Sequence, residues 1–335
     1  MKTYQGKTFR LAVIVAIVCV VFGGYVGTAA ACKVLVVSAY HESFFRTLEI
    51  NEGIEEVLGT ECDLTYVYLD SLTDPAGVEA KAQEALRQYQ AIQPDGVIAV
   101  GEDAQSAFVV PYLQEKVTTP VMFNNIFFPE VYEYPSANVS GMQLRWPIED
   151  AIVFIQQIIP AVERVGFLFA DEPAGHAVIE QISREKETYP TSVLDPVVVK
   201  TAEEAVEQAA RLNEQCDALY IGPVSMLPGT SGGAFSSEKV LFSAVKQAFG
   251  KATFTNLEFY VEAGLLCGVR DFGQEQGRGS AEMLQQAMSG TPVSELPIAQ
   301  NQFGQRILNK TVLKELGIKP SRRILTGAEI VETMQ

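Results

Sequence analysis

Val34-Leu35-Val36-Val37-Ser38 is an unbroken apolar run, largely β-branched and closed by a polar residue. Such a run, without polar alternation, reads as a strand buried on both faces, as in parallel sheets. The pattern outward from it is regular. Phe44–Leu58 reads as a helix whose apolar face carries Leu48, Ile54, Val57 and Leu58. Leu64–Leu69 is a second strand. Val78, Ala82, Ala85, Leu86 and Tyr89 recur at helical spacing. Pro94-Asp95-Gly96 is a turn, followed by a strand over Val97–Val100. A helix is expected over Ala104–Gln114 and a fourth strand over Val121–Phe123. Strands and helices alternating through short links imply a parallel sheet with helices on both faces.

The alternation then restarts. Ile148–Ile159 reads as a helix ending at Pro160, and Val165–Phe169 as a strand like the first. Helix 177–188, strand 193–199, helix 202–215 and strand 218–221 follow. A helix over 237–249, strands at 252–254 and 265–270, and a helix over 277–288 complete the series. The fold class is therefore α/β, with two doubly wound parallel-sheet lobes. Asn138–Met142 lies between the series, and a second crossing is expected near Asp271-Phe272-Gly273, where glycine eases the change of direction. Several crossings make a hinge, and a hinge between two lobes makes a closable cleft. The expected division is 32–142 plus 272–295 for lobe 1 and 143–271 plus 296–335 for lobe 2.

Lys2, Lys7 and Arg10 precede the 12-residue apolar run Leu11–Phe22, and small residues follow to Ala29-Ala30-Ala31. This is the layout of a secretory signal peptide covering residues 1–31. The run is short of the roughly 20 residues of a membrane span. Cleavage near Ala31 and a periplasmic or other extracytoplasmic location are expected, with lipid attachment at Cys32 as the alternative.

The 335 residues are 47% hydrophobic, with 41 acidic and 25 basic side chains and a net charge of −16. That apolar fraction supports buried cores and excludes disorder. The signal segment removes three cations and no acid, leaving 22 cations against 41 acids, a net −19. Such acidity argues against a nucleic-acid partner and against docking on anionic lipid. An exported chain permits disulfides. Cys32 and Cys62 each immediately precede a strand, so neighbouring parallel strands would bring them to the same end of the sheet. A Cys32–Cys62 disulfide and two unpaired thiols both remain open. Cys216 and Cys267 read as small buried apolar residues.

Specific residues carry a family resemblance. Asn138-Val139-Ser140-Gly141-Met142 resembles the Asn-Val-Thr-Gly-Val hinge motif of an ABC-transporter substrate-binding family that includes tryptophan- and tyrosine-binding proteins. Residues 160–166, Pro94–Gly101, Leu296-Pro297 and Asn309–Ile318 resemble further segments of the same family. The resemblance covers most of the mature chain. It implies a type I periplasmic-binding fold, with a small organic ligand, an amino acid or related compound, held between the lobes and passed to a membrane permease. The chain departs from the family in three places. Glu102-Asp103 stands where the family has Thr after glycine. Phe128-Pro129 replaces Asp-Pro, and Gly222-Pro223-Val224-Ser225 replaces an acid that neutralises a ligand ammonium. Glu102 and Glu258 are the candidate substitutes.

In open α/β sheets, ligands bind beyond the C-terminal strand ends. The candidate ligand-binding residues there are Ser38, Tyr40, His41, Glu102, Asp103, Asn124 and Asn125 in the first lobe. In the second they are Asp171, Ser225, Asn256 and Glu258. Each also has a plain structural reading, such as Asp103 capping a helix that begins at Ala104. His41 and His176, with Glu42, Asp171 and Glu172 near them, raise a metal site across the cleft, but they lack metal-ligand spacing. No metal or other cofactor is expected. No phosphate loop, nucleophile elbow or His-Glu-x-x-His is present, and Gly229–Gly233 lacks the phosphate-loop lysine. The expectation is a monomeric solute-binding protein of an ABC importer and no enzymatic activity. The same cleft would serve a receptor feeding a membrane kinase, or a metal-dependent hydrolase.

Overall fold

The computed structural model describes residues 31–224, 227 and 238–334. Its described strands form two sheets. The first has the order β12-β5-β4-β3-β1-β2 and is parallel throughout. It comprises β1 (Cys32–Ser38), β2 (Cys62–Tyr68), β3 (Gly96–Val100), β4 (Val121–Ile126), β5 (Val139–Gln143) and β12 (Ala299–Gln300). Val34, Leu35, Val36 and Val37 are all fully buried, half of them toward each helical layer. Full burial of such a side chain is worth about 1.5–3 kcal/mol.

The second sheet runs β14-β13-β11-β10-β9-β6-β7, with β8 also on β6. Its members are β6 (Arg164–Ala170), β7 (Ser192–Val193), β8 (Val197–Val199), β9 (Ala218–Ile221), β10 (Ala252–Thr255), β11 (Cys267–Asp271), β13 (Gly304–Asn309) and β14 (Glu329–Val331). Only β11–β13 is antiparallel among its described pairs. Phe167, Phe169, Tyr220 and Phe254 stack through its core, with ring centroids 5.4–6.4 Å apart.

Several local readings change. The strand expected over 193–199 is split into β7 and β8 around Pro196, which lacks the N–H a ladder needs. The helix expected over 104–114 starts at Glu102 and becomes a π-helix over Gln105–Leu113, where Pro111 lies inside. Gly101 is therefore its N-cap position, and Asp103 sits in the first turn rather than capping. Asn138–Met142 is largely β5, an internal strand of the first sheet; the chain crosses after it. Asn138 bonds Glu115 N, Leu113 O and Thr119 O, and Ser140 Oγ donates to Leu296 O at 2.7 Å. A Cβ on Gly141 would stand 2.1 Å from Phe123 O, so β4 and β5 can pair this closely only without a side chain there.

The crossings are knotted by buried amides. Gln276 Nε2 donates to Gln143 O (3.3 Å) and Asn301 Oδ1 (3.0 Å), and its Oε1 accepts from Asn125 N. Asn301 exchanges two 2.8 Å bonds with the Arg145 backbone. Because β12 pairs with β5, residues 299–300 add to the first sheet although the sequence pattern places 296–335 with the second lobe. A two-residue strand is too short for any periodicity to show.

Cys32 and Cys62 are register partners on β1 and β2 and form a disulfide, with Cα atoms 4.3 Å apart. Cys216 and Cys267 are free and buried. Among the described residues, no helix is long and apolar enough to cross a membrane. Residues 1–30 of the expected signal peptide, Ser225 and Gly229–Gly233 lie outside the described residues.

Candidate functional site

The helix Phe45–Leu58 leaves β1 through a short loop, so its first turn overhangs the C-terminal strand edge where ligands bind in such sheets. Facing it are the ends of β10 and β11 from the second sheet. Between them lies a cavity of about 340 Å³. Phe45, Arg46 and Glu49 form one wall. Asn256, Leu257, Glu258, Phe259 and Glu262 form the other, with Arg270 and Asp271 at the base.

Ion pairs cross between these walls. Arg46 meets Asp271 through two bonds of 2.9 and 3.0 Å, and Asp271 is almost wholly buried. Burial opposes the Arg46 charge, but the adjoining Asp271 outweighs it and holds the guanidinium protonated beyond its ordinary range. Arg270 contacts Glu49 at 2.7 Å and Glu258 at 2.9 Å. Burial pushes the Glu258 carboxyl upward; Arg270 pulls it down, while Glu329, Glu262 and Glu49 add to the rise. Phe45 and Phe259 remain 53% and 36% exposed at the cavity.

Of the sequence-predicted residues, Asn256 and Glu258 line this cavity. Most of the other described candidates are bonded elsewhere. Ser38 Oγ accepts from Tyr40 N, and Tyr40 Oη accepts from Asn125 Nδ2 at 3.1 Å, with burial pushing the phenol up to about 12. Tyr40 also packs on Phe44, centroids 5.2 Å apart. Glu102 accepts from Phe127 N and Tyr132 Oη, so this candidate substitute acid is tied into its own side of the cleft. Asn124 donates to Ser280 Oγ at 2.8 Å. Asp103 is half-buried in its helical turn.

His41 bonds Ser43 Oγ, and His176 bonds Asp171, which also contacts Lys200. Among the described residues, no group of three or more His, Cys, Asp or Glu is arranged to hold a metal ion.

Phe45, Arg46, Glu49 and Arg270 were not singled out in the sequence, and Asp271 was named only for the expected second crossing. One signal was available: Arg270-Asp271 places two charges at the end of the otherwise apolar β11, and buried charges require partners. The helix Phe45–Leu58 read only as a core helix, because helical spacing identifies its buried face and not what its first turn overhangs. A second gap, of about 220 Å³, lies on the other flank between Phe127-Phe128 and the helix Pro173–Glu185. There Arg184 reaches Glu130 at 2.7 Å and lies 4.8 Å from the Phe128 ring centre. Trp146 is buried and exchanges two backbone bonds with Gln181, a packing role.

The fold has many solved counterparts. An ABC domain from Streptococcus pneumonia, in complex with L-Trp, is 19% identical, with a TM-score of 0.60 over 90% of this chain and 100% of that one. A ligand-free, open substrate-binding protein with adhesive properties from Clostridium difficile is 15% identical, with a TM-score of 0.70 over the same shares. A leucine-binding protein from Thermotoga maritima is 12% identical, with a TM-score of 0.52 over 77% of this chain and 83% of that one. These likenesses establish a type I periplasmic-binding fold. A comparison with curated proteins finds no match. The family model described as "ABC transporter substrate binding protein" matches residues 41–332, and the chain belongs to that family.

Proposed function

We propose that this chain is the extracytoplasmic solute-binding component of an ABC importer, taking a small organic solute into the interlobe cleft and presenting it to a membrane permease. The observation that carries the reading is the cavity walled from both sides: Phe45, Arg46 and Glu49 before the first sheet, and the β10–β11 ends of the second. A site divided between two bodies binds fully only when both walls reach the solute, so binding energy favours closure. The family is one of solute-binding proteins rather than enzymes.

The reading includes cleavage near Ala31 and a monomer in solution. It takes lobe 1 as 32–142 with 272–300 and lobe 2 as the remainder of the mature chain. A Cys32 sulfur held in a disulfide cannot also carry a thioether-linked lipid, which favours a freely soluble carrier over an anchored one.

Calorimetry across amino acids, organic cations and organic acids, paired with X-ray scattering, tests it. Saturable binding of one solute with a smaller radius of gyration and no chemical change is expected. Turnover of the bound solute, or no binding by any class, would sink the reading.

A further inference from the structure

The same cavity also constrains the charge of its solute, given the carrier reading above. Its lining carries four carboxylates (Glu49, Glu258, Glu262 and Asp271) against two guanidinium groups. Both guanidinium charges are paired, although the Arg270 Nε–H, 2.9 Å from the Glu258 carboxylate, makes no well-aligned hydrogen bond. Arg46 is bound twice by Asp271, and Arg270 lies between Glu49 and Glu258. Glu262 has no ion pair among the described residues. A solute carboxylate would therefore meet no free cation and a surplus of like charge.

Asn256 points the same way. It is only 4% exposed, and its Nδ2 faces two backbone carbonyls, Pro147 O and Val269 O. Carbonyls only accept, so the amide nitrogen must lie on their side, which fixes the amide orientation. Its Oδ1 is then left buried without a partner. An orphaned buried acceptor in a cavity wall calls for a donor. Phe45 and Phe259 supply aromatic surface beside these acceptors, suited to methylenes and to the face-on approach of a cation.

We infer that the solute is an organic cation with an ammonium or guanidinium group, whose N–H donors go to Glu258, Glu262 and Asn256 Oδ1 while its alkyl part lies against Phe45 and Phe259. Glu258 thus does the work of the acid that the chain lacks after β9. Glu102 does not, being already bound to Phe127 N and Tyr132 Oη.

Calorimetry on the full chain with agmatine, putrescine, L-leucine and succinate tests this. Agmatine or putrescine binds, and L-leucine and succinate do not. The double variant Glu258→Gln/Glu262→Gln loses at least tenfold in affinity. Phe45→Ala, an exposed position that leaves the core intact, loses about threefold. Glu207→Gln, on an exposed helix elsewhere, stays within twofold and controls for attraction to the acidic surface. Circular dichroism of the unliganded variants checks their folding. Cation binding that survives both the double variant and Phe45→Ala overturns the inference. Binding of L-leucine or succinate in place of the cations overturns the charge assignment and leaves the carrier reading standing. The carrier reading itself falls with the wider panel, when no solute of any class binds or the bound solute is turned over.

Discussion

Asp271 ends a buried strand 2% exposed, and its charge is tolerable only because Arg46 reaches it twice from the opposite wall. Removing one partner of such a pair leaves the other desolvated and unpaired. Asp271→Ala is expected to lower folding stability by about 2–4 kcal/mol, below the fully buried limit because the Arg46 side chain keeps 16% exposure. Urea denaturation measures it, and a loss under about 0.5 kcal/mol would remove the pair from any structural role. Other candidates show why polar strand-end residues are hard to sort by position. Ser38, Asn124 and Glu102 all sit at such ends, yet each is bonded within the first lobe's own sheet, helices and loops. Strand-end placement follows from periodicity, whereas a partner such as Ser280, 156 residues away, does not.

Helix Phe45–Leu58 and helix Gly273–Met288 lie backbone to backbone. A Cβ at Gly277 would fall 2.0 Å from Ile50 O, and one at Gly53 would fall 2.2 Å from Gln274 O. In an exposed helix, glycine to alanine gains about 1 kcal/mol. Here the sign should reverse. Gly277→Ala forces the helices apart and should cost about 1–3 kcal/mol, read as a lowered melting temperature. A raised melting temperature would mean that the helices yield without loss. The same approach links helix Phe45–Leu58 of the first lobe to the element that returns after the second crossing. Two departures from the expected elements come at prolines: Pro196 divides one expected strand and Pro111 sits inside a π-helix expected as α.

Across the whole molecule, the two sides of the cleft are tied on both flanks: Arg46–Asp271 and Glu49–Arg270 on one, Glu130–Arg184 on the other. Arg184 and Glu130 are each about half exposed, so their pair is worth about 0–1 kcal/mol and is screened by salt. That is small against folding but large against a hinge balanced within a few kcal/mol. Arg184→Ala should leave the melting temperature nearly unchanged and widen the unliganded interlobe distance, measured by energy transfer between dyes on the two lobes. High salt should produce the same widening in the unmodified chain. An unchanged distance distribution in both cases would show that the pair does not bear on the hinge.

The two-sheet plan was readable from residue order, because buried parallel strands need continuous apolar runs and their links must be helical. Val34–Val37 and Phe167–Phe169 announce themselves whatever surrounds them. That plan left the Cys32–Cys62 disulfide and two free thiols both open; the register that makes the two cysteines neighbours, and the bond itself, came from the structure. The cavity was not readable either. Its walls join Arg46 to Asp271 over a separation of 225 residues, and its chemistry depends on which charges are already neutralised. Burial on one face repeats along a chain and leaves a periodic trace. Pairing between distant charges leaves none, because it is set by how two separately folded sheets come to rest against each other.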